Sequence, residues 1–247
     1  MKFIRLNIFI SIFIILLLTV ESHTSGMTYQ SNEYNYSLVM PPDWEEITKQ
    51  ILDETSERIA SLTGTEKINY ETGFRNGKGK TLEPPYILIP KLPQYGKALP
   101  SDMLEQLYKS YTSKDFSSTV EEKFKSFSNF LSSPSFDLPY VDKEKKMIVM
   151  SMKGNYSGKN LRTMIAQFVG KRTIVQINFV VLEFDYHKYI PVFESLIKSF
   201  KFDEPLIPQE YKKSIFDKAI PNIIGGVIFA LIVSAYFGIR NWIKSKK

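Results

Sequence analysis

Asn160-Leu-Arg-Thr-Met-Ile-Ala-Gln-Phe-Val169, Gly170-Lys171 and Arg172-Thr-Ile-Val-Gln-Ile-Asn-Phe-Val-Val-Leu182 form one unbroken stretch. Two runs rich in β-branched and aromatic residues flank a Gly-Lys pair, the pattern of a hairpin with a two-residue turn. Just before it, residues 137–141 and 146–153 flank a charged turn at 142–145. The apolar period here is two, which predicts antiparallel strands. Just after it, the spacing predicts a helix from about Tyr189 to Lys198, with Pro191 in its first turn, where a missing N–H costs little. Phe200–Phe202 then reads as a terminal strand.

Toward the N-terminus the pattern alternates between strand and helix. Residues 34–40 predict a strand, stopped by Pro41-Pro42. Asp43 with Glu46 three residues later reads as a capping box that opens a helix running to about Leu62. Its apolar stripe is Ile47, Ile51, Thr55, Ile59 and Leu62, closed by Gly64. Residues 67–76 and 86–92 predict two further strands, joined through Gly77-Lys-Gly-Lys and Pro84-Pro85. Residues 101–113 predict a helix with Met103, Leu104, Leu107, Tyr108 and Tyr111 inward. Ser118 and Glu121 read as a second capping box, opening a helix with Val120, Phe124, Phe127 and Leu131 along one side. Helices interspersed with antiparallel hairpins predict an α+β domain, an antiparallel sheet flanked by helices.

The ends carry different information. Lys2 and Arg5 precede an uncharged apolar run at 6–20, and Thr24-Ser25-Gly26 supplies small residues for cleavage, so 1–26 reads as a secretory signal peptide. As a helix the run rises only about 23 Å, short of a bilayer core. Residues 219–239 are uncharged and bracketed by Lys218 and Arg240. At 1.5 Å per residue they span about 31 Å, which predicts a transmembrane helix. The tail at 240–247 carries Arg240, Lys244, Lys246 and Lys247, and the positive-inside rule places it in the cytoplasm. The domain at 27–204 then lies outside (in a bacterium, in the periplasm, anchored to the inner membrane), and 205–218 is a tether. Gly226, Ala230, Ser234 and Gly238 recur every four residues, a small-residue face suited to packing against a second helix, its own copy or a partner's.

Charge agrees with this division. Of 32 Lys and Arg residues, two precede the first apolar run and four follow the second. Between residues 27 and 218, 26 basic residues face 25 acidic ones, so nearly all of the formal net charge of +6 belongs to the ends and gives no support to nucleic-acid binding. Zero Cys excludes disulfides, thiol nucleophiles and thiolate metal sites.

Two segments carry a family resemblance. Tyr36-Ser-Leu-Val-Met-Pro-Pro-Asp-Trp44 resembles the opening strand, Pro and Trp of the PsbP/DcrB-like superfamily. Tyr189-Ile-Pro-Val-Phe-Glu-Ser-Leu-Ile-Lys-Ser-Phe-Lys-Phe202 is similar to that superfamily's closing helix and Ser-Phe-Lys-Phe strand. The resemblance implies an antiparallel sheet flanked by helices. It also implies a non-enzymatic accessory role on the extracytoplasmic side of a membrane, as in a photosystem subunit.

Four constellations invite chemistry. Gly73 to Thr81 is glycine-rich, but five residues separate Gly73 from Gly79 where a phosphate loop needs four, and Pro84-Pro85 forbids the helix that should follow. Met147, Met150 and Met152 suggest thioether ligands for copper, yet alternation puts Met147 on the opposite face, so core packing is expected. Glu183, Asp185 and His187 have the residue types of a three-ligand metal site, against the plainer reading that they follow the end of a strand and solvate the next helix. Asp53/Glu57 and Glu54/Arg58 lie four apart on a polar helix face, where solvated charge is expected. Serines lack a G-x-S-x-G elbow and a triad to join. Asn35-Tyr-Ser37 and Asn155-Tyr-Ser157 are glycosylation sequons, relevant only in a eukaryotic secretory pathway. The expected function is therefore a membrane-anchored extracytoplasmic accessory or interaction domain without catalysis or cofactor. Its expected partners are lipid, through the one transmembrane helix, and a protein or a second copy. The alternative is an extracytoplasmic small-ligand or metal-binding protein, with a hydrolase behind it.

Overall fold

Strands Lys159–Val169 and Ile174–Leu182 are buried along nearly their whole length, because both of their faces are covered. The computed structural model describes residues 26–63, 66–77, 82–92, 94, 98–113, 131–156 and 158–203. In chain order these form β1 (Thr28–Ser31), β2 (Tyr36–Val39), β3 (Trp44–Glu46), α1 (Lys49–Thr63), β4 (Tyr70–Asn76), β5 (Tyr86–Pro90) and α2 (Met103–Tyr111). There follow β6 (Leu131–Phe136), β7 (Tyr140–Asp142), β8 (Met147–Tyr156), β9 (Lys159–Val169), β10 (Ile174–Leu182), a 3-10 turn (Glu183–Asp185), α3 (Tyr186–Ser199) and β11 (Lys201–Phe202). Residues 1–25 of the expected signal at 1–26, residues 118–130 of the helix expected to run to Leu131, and everything from 204 onward, including the tether, the membrane segment and the face of Gly226, Ala230, Ser234 and Gly238, lie outside the described residues.

An eight-stranded sheet runs β3-β4-β5-β10-β9-β8-β6, with β7 also paired to β8, and a small sheet runs β1-β2-β11. The pairings are antiparallel. Alternation along β8, β9 and β10 sorts side chains into two cores. Ile148, Met150, Met152, Leu161, Ile165 and Val180 face α1 and α2. Met147, Met164, Phe168, Ile177 and Phe179 face the small sheet and α3. The predicted α+β class and the antiparallel sheet flanked by helices describe this architecture.

Five local expectations differ. The capping box at Asp43 and Glu46 does not form. Trp44–Glu46 pairs with Phe74–Asn76 as β3, and Asp43 adopts a left-handed φ of 66°. Burial of Trp44 against Phe179 and the Thr72 hydroxyl donating to Glu46 outcompete the local cap. The helix therefore starts at Lys49, and among its described side chains Leu52, Thr55 and Ser56 are buried, with Ile51 half-buried. Ile47 enters the core from ahead of the helix, its N–H bonded to the Gly73 carbonyl.

The β9–β10 turn takes four residues, Gly170–Thr173, with the Gly170 N–H donating to the Thr173 carbonyl. The Phe202 ring packs so tightly on Gly170 that a Cβ there would stand 2.8 Å from it. Leu131 opens strand β6 rather than closing a helix stripe, and β6 loses register with β8 between Ser132 and Ser135, around Pro134 at this sheet edge. The strand expected at 137–141 is confined to β7. Finally, α3 begins at Tyr186, so Pro191 sits in its second turn and removes a helical hydrogen bond there.

Candidate functional site

A charge cluster is centred on Arg162 of β9, which is only 8% exposed. Its guanidinium donates to both carboxylate oxygens of Glu183, at 2.8 and 3.0 Å, and to Asp137 at 3.2 Å and Ser151 at 3.3 Å. The Tyr186 ring covers it, with its centroid 3.9 Å from Cζ. Its charge and most of its donors are thus met by neighbours, and the group clips four elements together. Two exposed side chains adjoin that clip in sequence. Asp137 and Glu183 converge on one guanidinium, and the residues that follow them in sequence, Leu138 and Phe184, are 88% and 80% exposed.

A second cluster lies where the small sheet meets β4. Glu71 accepts hydrogen bonds from the hydroxyls of Tyr29, Ser31 and Tyr36. Burial first, and then the Glu71 charge, push the Tyr36 and Tyr29 hydroxyls well above the ordinary tyrosine range, so both remain proton donors. This carboxylate ties β1 and β2 to the large sheet.

Beneath α2 the sheet carries a row of buried amides. The Tyr111 hydroxyl donates to Gln167 at 2.8 Å, Gln167 donates to Gln176 at 2.8 Å, and Gln176 donates to Asn178 at 2.9 Å. The row anchors the last turn of α2 to β9 and β10. The other side of α2 forms one wall of a groove of about 610 Å³. Leu99, Leu104, Tyr108, Tyr140, Val141 and Val169 give it an apolar lining. Lys109, Lys143, Lys146 and Lys171 stand around it with a single acid, Glu105. Local backbone geometry presents these lysines. Lys146 has a left-handed φ of 48° beyond the Asp142-capped turn, and the Lys171 carbonyl holds the Leu99 N–H at 2.7 Å. Among the described residues none of the four forms an ion pair, whereas Lys49, Lys67, Lys91 and Lys153 each do.

The residues singled out from sequence fall elsewhere. Gly73 is mid-strand in β4, within the strand expected at 67–76, and a Cβ there would meet Leu88 and Ile47 at 3.0 and 3.1 Å. Lys78 to Thr81 lie outside the described residues. Met150 and Met152 face one core and Met147 the other, as alternation predicts. The strand ends at Leu182, before Glu183, Asp185 and His187. Glu183 is bound by Arg162, and among the described residues no group of three His, Asp or Glu side chains stands together in a metal-binding cluster. Asp53 pairs with Lys49 rather than joining Glu57. The groove was missed because its walls come from three sequence-distant segments, 99–109, 139–146 and 169–171. The one available signal was Leu104 and Tyr108, four apart on α2 and assigned inward with Leu107.

No protein-family model matches this sequence, and no curated protein is similar to it. Three solved structures are similar. Cyanobacterial PsbP from Synechocystis is 11% identical, with 74% of this chain and 95% of that one covered at a TM-score of 0.43. The Ran-binding protein Mog1p of Saccharomyces cerevisiae is 9% identical, with 72% and 95% covered at 0.38. LpqN of Mycobacterium tuberculosis, involved in cell envelope biogenesis, is 13% identical, with 71% and 88% covered at 0.40. At these identities the likeness concerns the fold alone.

Proposed function

We propose that this chain is a membrane-anchored, extracytoplasmic interaction domain without catalytic activity. In this reading 1–26 is a signal peptide, 27–204 the domain, 205–218 a tether, 219–239 the single membrane helix and 240–247 the cytoplasmic tail. The observation that carries the interaction role is the exposure of Leu138 and Phe184, at 88% and 80%, each next in sequence to an acid that Arg162 binds. Exposed apolar groups fixed by a rigid support suit a protein contact. The charge asymmetry around 219–239 supports the anchor and its orientation. The face of Gly226, Ala230, Ser234 and Gly238 suits contact with a partner helix or a second copy. A second reading, small-ligand binding, is favoured by the groove volume, which lies within the ordinary range for ligand sites.

One experiment in cells tests both parts. A photo-crosslinking residue placed at Leu138 or Phe184 of the full chain should capture one protein in high yield, while the same residue at exposed Glu144 should not. A reporter active only outside the cytoplasm, fused after Lys247, should be silent. Equal crosslinking from all three positions removes the interaction surface. An active reporter reverses the topology.

A further inference from the structure

We infer that the lysine-rimmed groove between α2 and β7 docks onto an anionic bilayer surface, the one in which the chain's own C-terminal segment is anchored. The inference rests on the membrane-anchored reading above. Three observations carry it. The first is charge. Lys109, Lys143, Lys146 and Lys171 outnumber Glu105 around the groove, and among the described residues no carboxylate neutralises them. The depression on the α3 side of β7 has the opposite balance, with Asp137, Asp142 and Glu194 against Lys145 and Lys198. The molecule is therefore polarised across β7, and only one side suits lipid phosphates.

The second observation is the chemistry between the lysines. Tyr108 and Tyr140 are 41% and 62% exposed at the groove, with Leu104 and Val141 behind them. A tyrosine with its ring against apolar surface and its hydroxyl free suits the headgroup level of a bilayer. Lysines suit phosphates there, each strengthening attachment to an anionic surface about fivefold.

The third is where the chain leaves. The last strand, β11, ends at Phe202, whose ring lies on Gly170, and Gly170 and Lys171 line the groove. The groove thus opens beside the exit point. From residue 204 to residue 218 the chain reaches about 50 Å at most, so the groove stays within reach of the bilayer.

The test uses the full chain with vesicles of neutral phosphatidylcholine, and with vesicles in which roughly one-quarter is phosphatidylglycerol. Flotation with neutral vesicles after an alkaline wash reads the anchor alone. Amine acetylation followed by mass spectrometry reads the docking. Lys109, Lys143, Lys146 and Lys171 should label several-fold more slowly in the anionic vesicles, with high salt restoring the rate, while Lys49 and Lys67 label equally in both. Equal labelling of the four in both vesicles overturns the docking while the anchor stands. If the chain fails to float with neutral vesicles, the anchored reading falls and docking is read by flotation. Association with anionic vesicles alone, weakened about 25-fold by Lys109→Ala with Lys171→Ala, upholds it. Association with neither vesicle overturns it.

Discussion

On the α3 side of the large sheet, Phe179 lies 5.7 Å from the Trp44 ring and 5.6 Å from Phe193, both stacked, with Tyr189 edge-on. On the α2 side, the same strand and its neighbour carry Gln167, Gln176 and Asn178, all buried and bonded in series to Tyr111. The two faces cover equally well and specify differently. An aromatic cluster fills volume and tolerates small rotations of the helix above it, because dispersion and burial are weakly directional. An amide row does not, because each bond has a narrow geometry and each buried polar atom is costly when it loses its partner. The register of α2, and with it the placement of Leu104 and Tyr108 in the groove, is therefore set by hydrogen bonds, whereas α3 is held by fit.

The largest expected effect is on the aromatic face. Phe179 is fully buried, and Phe179→Ala should destabilise the chain by about 3–5 kcal/mol, the usual cost of emptying an aromatic core position. A urea midpoint shift at unchanged slope would show it. A loss under about 1 kcal/mol would mean that this face collapses around the gap and is not the close-packed one. Next comes Gln167→Leu, which keeps the volume but removes both bonds that Gln167 makes. Its expected cost is about 2 kcal/mol. Coupling to Tyr111→Phe sharpens the contrast, because the second substitution should cost less in the Leu background than alone. Additive losses would show that the row is three separate bonds and does not set α2.

The strands of both faces were legible because β9 and β10 are long and bounded by Gly170. The boundary errors arose where a distant contact overrode a local signal. Asp43-Pro-free spacing to Glu46 satisfies a capping box, yet Trp44 finds Phe179 some 135 residues later and the segment becomes β3. Gly170-Lys171 satisfies a two-residue turn, yet the Phe202 ring on Gly170 accompanies a turn of four residues. Strand β6 was invisible because Pro134 and three serines weaken the signal, and its pairing with β8 is supplied from outside. Arg162 was not singled out because its acids, Asp137 and Glu183, lie 25 and 21 residues away in opposite directions. The groove failed for a related reason. A helical stripe shows that Leu104, Leu107 and Tyr108 share a side of α2, but not which part of that side the sheet covers.

That last ambiguity yields the smallest predicted effect and the sharpest check on the groove. Leu107 and Tyr108 are adjacent, both apolar enough for a core, and α2 buries Leu107 almost completely while leaving Tyr108 in the groove wall. Tyr108→Ser removes a ring that solvent already reaches, so stability should change by no more than about 0.5 kcal/mol. Leu107→Ala, one residue earlier, should cost about 2–5 kcal/mol by opening a cavity against the amide-bearing face. Equilibrium unfolding of the two variants side by side decides the matter, since both alter the same helix and differ little in helix propensity. A Tyr108→Ser loss approaching that of Leu107→Ala would place the ring in the core, close the groove on its α2 side, and leave the lysines around it as ordinary surface charge.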